Sequence, residues 1–338
     1  MPSFVTATVT EVLSERPGLA RVATDAGRAY ALVELTGPVA VGDRVVLNTT
    51  AVELGLGTGG WHVVHWNLAR EAWSRPGPGH IMKLRYTSLQ HDAGAAEEDH
   101  PDLPASLPGV PVVACSLHSQ VAVVAAVVRR LRPDARIAYV MTDGAALPIA
   151  LSDLVHALRE QSVLDVTVTA GHAFGGDLEA VGVPSALALA HHVAGADLVV
   201  AGMGPGVVGT ASALGTTAVE VAAVLDAAAA LGAQVALCAR ASSADPRPRH
   251  RGVSHHVRTI LGLAAVSPAV PLPPGLVAEV VGARAVEGPD PAAVLDAFGL
   301  AVTTMGRGPA EDPAFFAAAS SAGAWAAATL RQAAGADQ

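Results

Sequence analysis

The feature that most constrains the fold is a regular alternation of apolar strands and amphipathic helices, which begins at Val110. The strand-like runs are continuously apolar: VPVVACS, ARIAYVMTD, LDVTVTAGH, ADLVVAGMG and AQVALCARAS. Helix-like runs separate them, and strands that are apolar on both faces are typical of a parallel sheet covered on both sides. We therefore predict an α/β fold for residues 110–338: a doubly wound, mostly parallel, Rossmann-like sheet with helices on both faces.

The end of the chain is predicted to continue this alternation. Its strand-like and helix-like runs are LVAEVVGAR, PAAVLDAFG and LAVTTMG. A last helix is expected near residues 312–332, because Asp312 followed by Pro313 combines a capping residue with a first-turn proline.

Residues 1–90 have a different pattern. Four short alternating stretches, separated by turn signals, are strand candidates: FVTATVTEV, LARVAT, RAYALVEL and DRVVL. With the aromatic stretch 54–68 they predict a small antiparallel β-barrel, in which Trp61 and Trp66 fill the interior. Residues 91–109 are acidic and rich in proline, and predict a linker or an exposed loop.

Composition and charge narrow the class of protein. The chain is 51% hydrophobic and 15% charged, which argues against disorder. The net charge of −9 argues against a nucleic-acid partner, which needs a basic surface. The longest uncharged run, Leu198–Val219, is rich in glycine, serine and threonine, so we expect no membrane span, and the start of the chain lacks a signal-peptide pattern. Cys115 and Cys238 lie in apolar strand-like runs and are expected to be buried free thiols, so we predict a cytoplasmic protein.

Polar side chains follow each predicted parallel strand. His118, Asp143 and His172 follow the first three strands, a glycine run follows the fourth, and a basic segment follows the fifth. The carboxyl ends of parallel strands share one edge of the sheet, where ligands bind. Imidazole and carboxylate groups there can move protons near neutral pH. The candidate catalytic residues are His118, Asp143, His172, His250 and His255.

The glycine run AGMGPGVVGT lies between a strand and a helix. The candidate ligand-binding residues in it are Gly202, Gly204, Gly206, Gly209 and Thr210. Exposed backbone N–H groups and the amino end of the next helix can hold an anion. The spacing matches neither the dinucleotide fingerprint nor the phosphate loop. A tight structural turn remains the alternative.

The basic segment, defined as residues 243–256, reads SADPRPRHRGVSHH. Its candidate ligand-binding residues are Asp245, Arg247, Arg249 and Arg251. Guanidinium groups suit carboxylate or phosphate, and the prolines at 246 and 248 are expected to keep the segment extended, with its arginines apart. A basic loop that pairs with the acidic stretch 97–102 and an interface in a homo-oligomer are the alternatives.

The end of the basic segment predicts a helix start. Ser254 can cap a helix whose first turn holds His255 and His256, and both imidazoles are then expected to be neutral.

Metal binding is a competing interpretation of the histidines. A suitable set of ligands for a first-row metal would be His118, His172, His250, His255, Asp143 and Asp245. No HxH or HExxH spacing supports it, and the sequence identifies no cofactor.

Five stretches resemble a bacterial family known as domain-of-unknown-function family 3866: LGLGTGGWHVVHWNL, GHIMKLRYTSLQ, GMGPGVVGT, ADPRPRHRGVSHH and TTMGRGPAEDPAFF. They extend over nearly the whole chain, although Ala211 and Ser212 depart from the expected pattern after the glycine run. The resemblance implies no activity, so it assigns no role to any residue.

These observations predict an enzyme of the hydrolase or transferase class. Its ligand is expected to be an anionic small molecule, such as a nucleotide or a phosphorylated metabolite, bound at the carboxyl edge of the sheet. A non-catalytic sensor or assembly protein that uses the same pocket is the alternative.

Overall fold

The chain folds into two compact units, Met1–Ala93 and Gly94–Gln338. The computed structural model describes residues 2–57 and 59–336, the last six of these by their backbone alone. Among these residues, no helix combines the length and the apolar character that are needed to cross a membrane.

The first unit is a closed five-stranded barrel. Its strands are β1 (Phe4–Arg16), β2 (Leu19–Thr24), β3 (Gly27–Ala31), β4 (Arg44–Asn48) and β5 (Trp61–Asn67), in the order β1-β2-β3-β5-β4. Two single-turn helices, α1 (Val33–Thr36) and α2 (Thr50–Glu53), connect them, and β6 (Met82–Lys83) pairs with β7 (His91–Asp92). The predicted barrel is confirmed, except that β3 and β5 run parallel. This pair is parallel because β4 crosses over to pair with β1 before the chain returns as β5 beside β3.

Small aliphatic side chains fill the barrel. Ala20, Val22 and Ala29 are fully buried there, and the expectation that tryptophans fill the interior is wrong. Trp61 instead stacks on Tyr30 with 4.8 Å between ring centroids, and Arg28 lies over its ring. A barrel of five strands has a narrow interior, and small aliphatic side chains are enough to fill it.

The second unit contains a six-stranded, all-parallel sheet. Its strands are β8 (Pro111–Cys115), β9 (Ile137–Thr142), β10 (Val166–Ala170), β11 (Leu178–Ala180), β12 (Leu198–Met203) and β13 (Gln234–Cys238). The order is β11-β10-β9-β12-β8-β13. The predicted α/β class with a parallel sheet is confirmed. The strand order differs from the two common doubly wound orders, because β12 is inserted between β8 and β9.

Helices cover both faces of this sheet. One face packs against α3 (His118–Leu131), α4 (Asp153–Glu160), α8 (Pro291–Ala297) and α9 (Pro313–Ala336). The other face packs against α5 (Val183–Ala188), α6 (Val221–Ala230) and α7 (His255–Leu263). The strands are buried on both sides: Val113 and Cys115 point into the first core, and Val112 and Ala114 point into the second. This explains their continuously apolar sequence.

Of residues 91–109, expected to be a linker or an exposed loop, 91–93 belong to the first unit and 94–109 pack against the α/β core of the second unit. Leu107 is fully buried, and its amide donates to the carbonyl of Leu231 at 2.5 Å. The amide of Val181 donates to Glu97 at 2.9 Å. The acidic stretch is therefore anchored to the α/β core, and Glu97 bonds a backbone amide instead of the basic segment.

The strands expected after β13 do not join the sheet. Only short pairs form there: β14 (Ala241–Ser242) with β15 (Gly252–Val253), and β16 (Pro271–Leu272) with β17 (Arg284–Ala285). Residues 300–306, read as a strand in the sequence, form a loop with a single bridge at Thr304. The last helix is confirmed as α9, and the Asp312 carboxylate accepts from Ser242 and Ser243 across the fold.

Gly323 allows α9 to lie close to α3, and Gly323→Ala is expected to destabilise the protein by about 1–3 kcal/mol. A Cβ at Gly323 would meet the carbonyl oxygen of Val124 at 2.9 Å and Cβ of Val127 at 2.8 Å. This clash outweighs the gain of about 1 kcal/mol in helix propensity. Gly262 in α7 is the matched control, because a Cβ there meets nothing within 4 Å.

Urea denaturation followed by circular dichroism measures both changes. Gly262→Ala is expected to stabilise the protein by about 0.5–1 kcal/mol. A stabilising Gly323→Ala would show that the two helices can move apart without cost.

Candidate functional site

A cavity of about 750 Å³, here called the edge cavity, lies in the second unit next to the carboxyl ends of β8, β12 and β13. It is lined by segments 117–119, 205–210 and 299–305 together with Asp153, Leu154, Ala157, Thr216, Arg240, Arg247, Arg249, His250 and His256. Residues that follow three different strands therefore meet at one opening, as expected for a parallel sheet.

One buried carboxylate organises the basic segment. Asp245 is 1% exposed and accepts from Nε and Nη2 of Arg247 at 2.9 and 2.8 Å, and from its amide at 3.0 Å. Nη2 of Arg240 lies 3.4 Å from the same carboxylate, and Nε of Arg251 donates to the Asp245 carbonyl. The hydrogen bonds from Arg247 hold the pKa of Asp245 well below its usual range. Asp245 is therefore an anchor for the arginines and does not line the cavity.

The basic segment is not extended, so that expectation is wrong. Residues Pro248–His250 form a 3₁₀ turn, in which the amide of His250 donates to the carbonyl of Arg247. The segment folds back because Asp245 captures the backbone and side chain of Arg247. Arg249 stays exposed, lines the cavity and has no ion-pair partner among the described residues.

Arg240 is a cavity residue that the sequence analysis missed. It lies two residues after β13 and is 7% exposed. Burial, followed by the neighbouring charge of Arg247, lowers its pKa to about 10, so its guanidinium remains protonated at neutral pH. Its position directly after a strand is the same signal that identified the other edge residues.

Three histidines of the basic segment and α7 form a cluster, here called the histidine cluster: His250, His255 and His256. Their ring centroids lie 4.3–5.1 Å apart. Ser254 caps α7, as predicted, by accepting from the amide of His256, and its hydroxyl also lies 2.7 Å from Nδ1 of His250. His250 and His256 line the edge cavity, whereas His255 lies behind them.

The imidazoles of this cluster are neutral at neutral pH. Burial, followed by the charge of Arg240, lowers the pKa of His250 to about 3. Burial, followed by the neighbouring His255, lowers that of His256 to about 4. The pKa of His255 is lowered by burial and then by Arg249. Neutral imidazoles were expected from the helix amino end, but burial and neighbouring cations are the cause.

The glycine run divides into two parts with different roles. Gly202 and Gly204 do not line the cavity: a Cβ would meet the carbonyl oxygen of Cys115 at 2.5 Å or that of Ala146 at 2.6 Å. They are glycines because backbones approach closely there. Gly206, Gly209 and Thr210 do line the cavity.

The expected helix amino end is absent from this loop. Gly209 forms a bridge with Thr216, and a 3₁₀ segment (Thr217–Glu220) precedes α6. Glu220 is the N-cap residue of α6, and its side chain makes no hydrogen bond to the amino end of the helix. The amides of Gly206, Val207 and Gly209 make no hydrogen bond within the described part of the chain.

His118 lies at the cavity and has both ring nitrogens bonded. Nδ1 lies 3.2 Å from the carbonyl oxygen of Met203, and Nε2 lies 2.7 Å from Oγ of Ser152. These partners assign the proton to Nδ1 and make Ser152 the donor to Nε2. Burial lowers the pKa of His118 to about 4. His118 thus ties the loop after β12 to the start of α4.

Asp143 and His172 meet each other away from the edge cavity. The amide of His172 donates to the Asp143 carboxylate at 3.0 Å, and neither residue lines the cavity. Glu220, which the sequence analysis did not select, accepts from the hydroxyl of Thr142 beside them. Burial, with a smaller effect of Asp143, raises the pKa of Glu220. The carboxyl edge therefore carries two separate polar groups, one over β9 and β10 and one over β8, β12 and β13.

The predicted metal-ligand set is not brought together. His118, His172 and Asp143 lie apart from His250 and His255, and among the described residues the group that could hold a metal ion is the histidine cluster. Cys115 and Cys238 are buried free cysteines, as expected, and burial raises the pKa of the Cys115 thiol.

Comparison with known proteins identifies the family of the chain but assigns it no activity. No curated protein and no solved structure shows significant similarity to the chain. A family model described as a protein of unknown function, DUF3866, matches residues 28–323, which include strands β3–β5 of the barrel but not β1 or β2, and also the glycine run, the basic segment and the histidine cluster. The chain belongs to the DUF3866 family.

Proposed function

We propose that the edge cavity binds an anionic small molecule, such as a nucleotide or a phosphorylated metabolite, and that the protein is a hydrolase or transferase that acts on it. The observation that supports this proposal most is the surplus of positive charge on one wall. Arg240, Arg247 and Arg249 line the cavity, and one buried carboxylate, Asp245, lies among them. The carboxylate that does line the cavity, Asp153, belongs to the first turn of α4.

The dimensions and donors of the cavity suit such a ligand. Its volume of about 750 Å³ lies within the range of small-molecule sites, about 300–1,000 Å³. Gly206, Val207 and Gly209, whose amides have no hydrogen-bond partner among the described residues, line the same cavity as the guanidinium groups, and both kinds of donor bind phosphate oxygens. Hydride transfer is disfavoured because the run lacks the dinucleotide spacing.

Arg249→Ala is expected to weaken binding of the anion by about 10–100-fold, because a charged hydrogen bond contributes about 1.5–3 kcal/mol. Arg249 is exposed and unpaired within the described residues, so the substitution leaves the fold intact. Thermal shift with AMP, ATP and glucose 6-phosphate identifies a binding probe, and calorimetry then measures its Kd. Arg258→Ala is the matched control, since Arg258 is an exposed arginine on α7 that does not line the cavity.

Equal affinities for wild type and Arg249→Ala would refute the proposed binding site. Phosphorus NMR of the bound probe then tests turnover. Product formation supports the enzyme, and stable binding without product favours a ligand sensor. Both ring nitrogens of His118 are hydrogen-bonded, so neither is free to act as a catalytic base. This observation favours the ligand sensor.

A further inference from the structure

We propose that the histidine cluster is a binding site for a divalent transition metal ion of the zinc class. One ring nitrogen from each of His250, His255 and His256 lies within 4.8 Å of the other two. A tetrahedral ion at about 2.0–2.1 Å from each nitrogen requires a small rotation of the rings toward a common centre. Three rings whose centroids are 4.3–5.1 Å apart are close enough together to share one ion.

Unpaired nitrogen atoms are the independent observation that points to a ligand. His256 is 5% exposed, and both of its ring nitrogens are buried without a hydrogen-bond partner in the described chain. Nε2 of His255 is buried and unpaired in the same way. Buried polar atoms without partners are rare because each costs about 1–3 kcal/mol. A metal ion bound between these rings would satisfy Nε2 of His255 and one of the two nitrogens of His256.

The hydrogen bond made by the His250 ring is of the kind that orients histidine ligands in metal sites. Nδ1 of His250 lies 2.7 Å from the Ser254 hydroxyl, which leaves Nε2 as the nitrogen for a metal. Ser254 also caps α7 and thereby fixes the backbone that carries His255 and His256. One serine therefore orients ligands on both sides of the site.

The surrounding charges determine what completes the coordination. Arg240, Arg247 and Arg249 lie around the rings and oppose a bare cation. They favour an ion whose remaining ligand is an anion, such as hydroxide or an anionic group in the edge cavity, which His250 and His256 line. Three protein ligands and one open position are typical of catalytic zinc sites. The metal site goes beyond the proposed anion binding, because the nitrogens can bind metal with or without that ligand.

The chemistry of the donors selects the class of metal. Three neutral imidazoles suit zinc, nickel, copper and cobalt, whereas magnesium and calcium prefer oxygen ligands. The carboxylate of Asp245 is occupied by Arg247 and Arg240 and is not counted among the ligands. We therefore expect no stoichiometric magnesium binding by this cluster.

The test uses the full chain, stripped of metal with a chelator and titrated with Co²⁺ and Zn²⁺. We expect one ion per chain, the visible absorption of tetrahedral cobalt, and X-ray absorption that counts three imidazole ligands. His255→Ala is expected to weaken binding at least about 100-fold, since partners outside the ligand shell alone contribute about 10–100-fold. His255 is the least buried ring of the cluster, so this variant is the one best tolerated by the fold.

His192→Ala is the matched control, because His192 belongs to a second pair of adjacent histidines and is exposed. It is expected to bind metal like the wild type. The proposal is overturned if the wild type binds no stoichiometric ion, or if His255→Ala binds as tightly as the wild type. His255→Gln and the melting temperature of each variant separate loss of the ligand from loss of the fold. The cobalt and zinc titrations are made without the anionic probe, so failure here is distinct from failure of the proposed function.

Discussion

Asp245→Ala is expected to lower the free energy of unfolding of the α/β unit by about 3–5 kcal/mol, the cost of breaking a buried ion pair from one side. Asp245 is 1% exposed and is the counter-ion of Arg240, which is 7% exposed. Removing the carboxylate leaves Arg240 buried and without its opposite charge. Since domains are stable by only about 5–15 kcal/mol, the variant is expected to be marginal.

The loss is large because Asp245 also determines the path of the basic segment. Its side chain accepts from the amide and guanidinium of Arg247, its carbonyl accepts from Arg251, and its amide donates to Oγ of Ser242. The hydrogen bonds from the side chain and amide of Arg247 hold the pKa of Asp245 well below its usual range. The stabilisation is therefore fully present at neutral pH and is lost only as the pH falls through the lowered pKa.

Chemical denaturation followed by circular dichroism measures this effect. Asp245→Asn, which retains the shape and an acceptor oxygen, is expected to show an intermediate loss. Glu160→Gln is the control, because the Glu160–His156 pair is 3.8 Å long and exposed, and such pairs contribute about 0–1 kcal/mol. Wild-type stability of Asp245→Ala would show that the segment keeps its path without the carboxylate.

The architecture of the sheet was predictable because it depends on local patterns. Strands β8, β9 and β12 are buried on both faces, so each reads as a continuous apolar run. Residues 300–306 also read as an apolar strand, but they form a loop in which 300–305 line the edge cavity. An apolar sequence pattern indicates that a segment is buried. It does not indicate whether the segment pairs with a neighbouring strand or lines a cavity.

The site was only partly predictable, because strand order is not a local property. His118 and Asp143 both follow parallel strands, and the sequence places both at one edge. The insertion of β12 between β8 and β9 separates them, so Asp143 pairs with the loop of β10 while His118 reaches the loop of β12. A long-range crossover of this kind has no signal in residue spacing.

Side-chain pairing was the other part that could not be predicted. Two prolines favour an extended basic segment, but the bidentate contact of Asp245 with Arg247 folds it into a turn. His256 was placed in the first turn of α7 from its sequence, yet its part in a cluster with His250 depends on that turn. The sequence thus identified most residues of the candidate site. Which of them lie close together became clear only from the structure.

Acid is expected to destabilise the protein through His118, by about 3 kcal/mol once the pH reaches about 4. The pKa of His118 is lowered from 6.5 to about 4 by burial. Between these values the unfolded chain binds a proton that the folded chain does not, so stability falls as the pH falls. Above pH 6.5 neither state is protonated at His118, and its contribution is complete.

His118→Gln and His118→Asn remove this titration and differ in the hydrogen bonds that they keep. Their stability relative to the wild type is therefore expected to improve by about 3 kcal/mol between about pH 7.5 and pH 4. Because His250 and His256 also have lowered pKa values, the wild type and both variants share the remaining acid sensitivity, and the difference isolates His118. Urea midpoints measured across this range test it. A constant difference at every pH would mean that His118 can take up a proton in the folded protein, which its bonds to Met203 and Ser152 oppose.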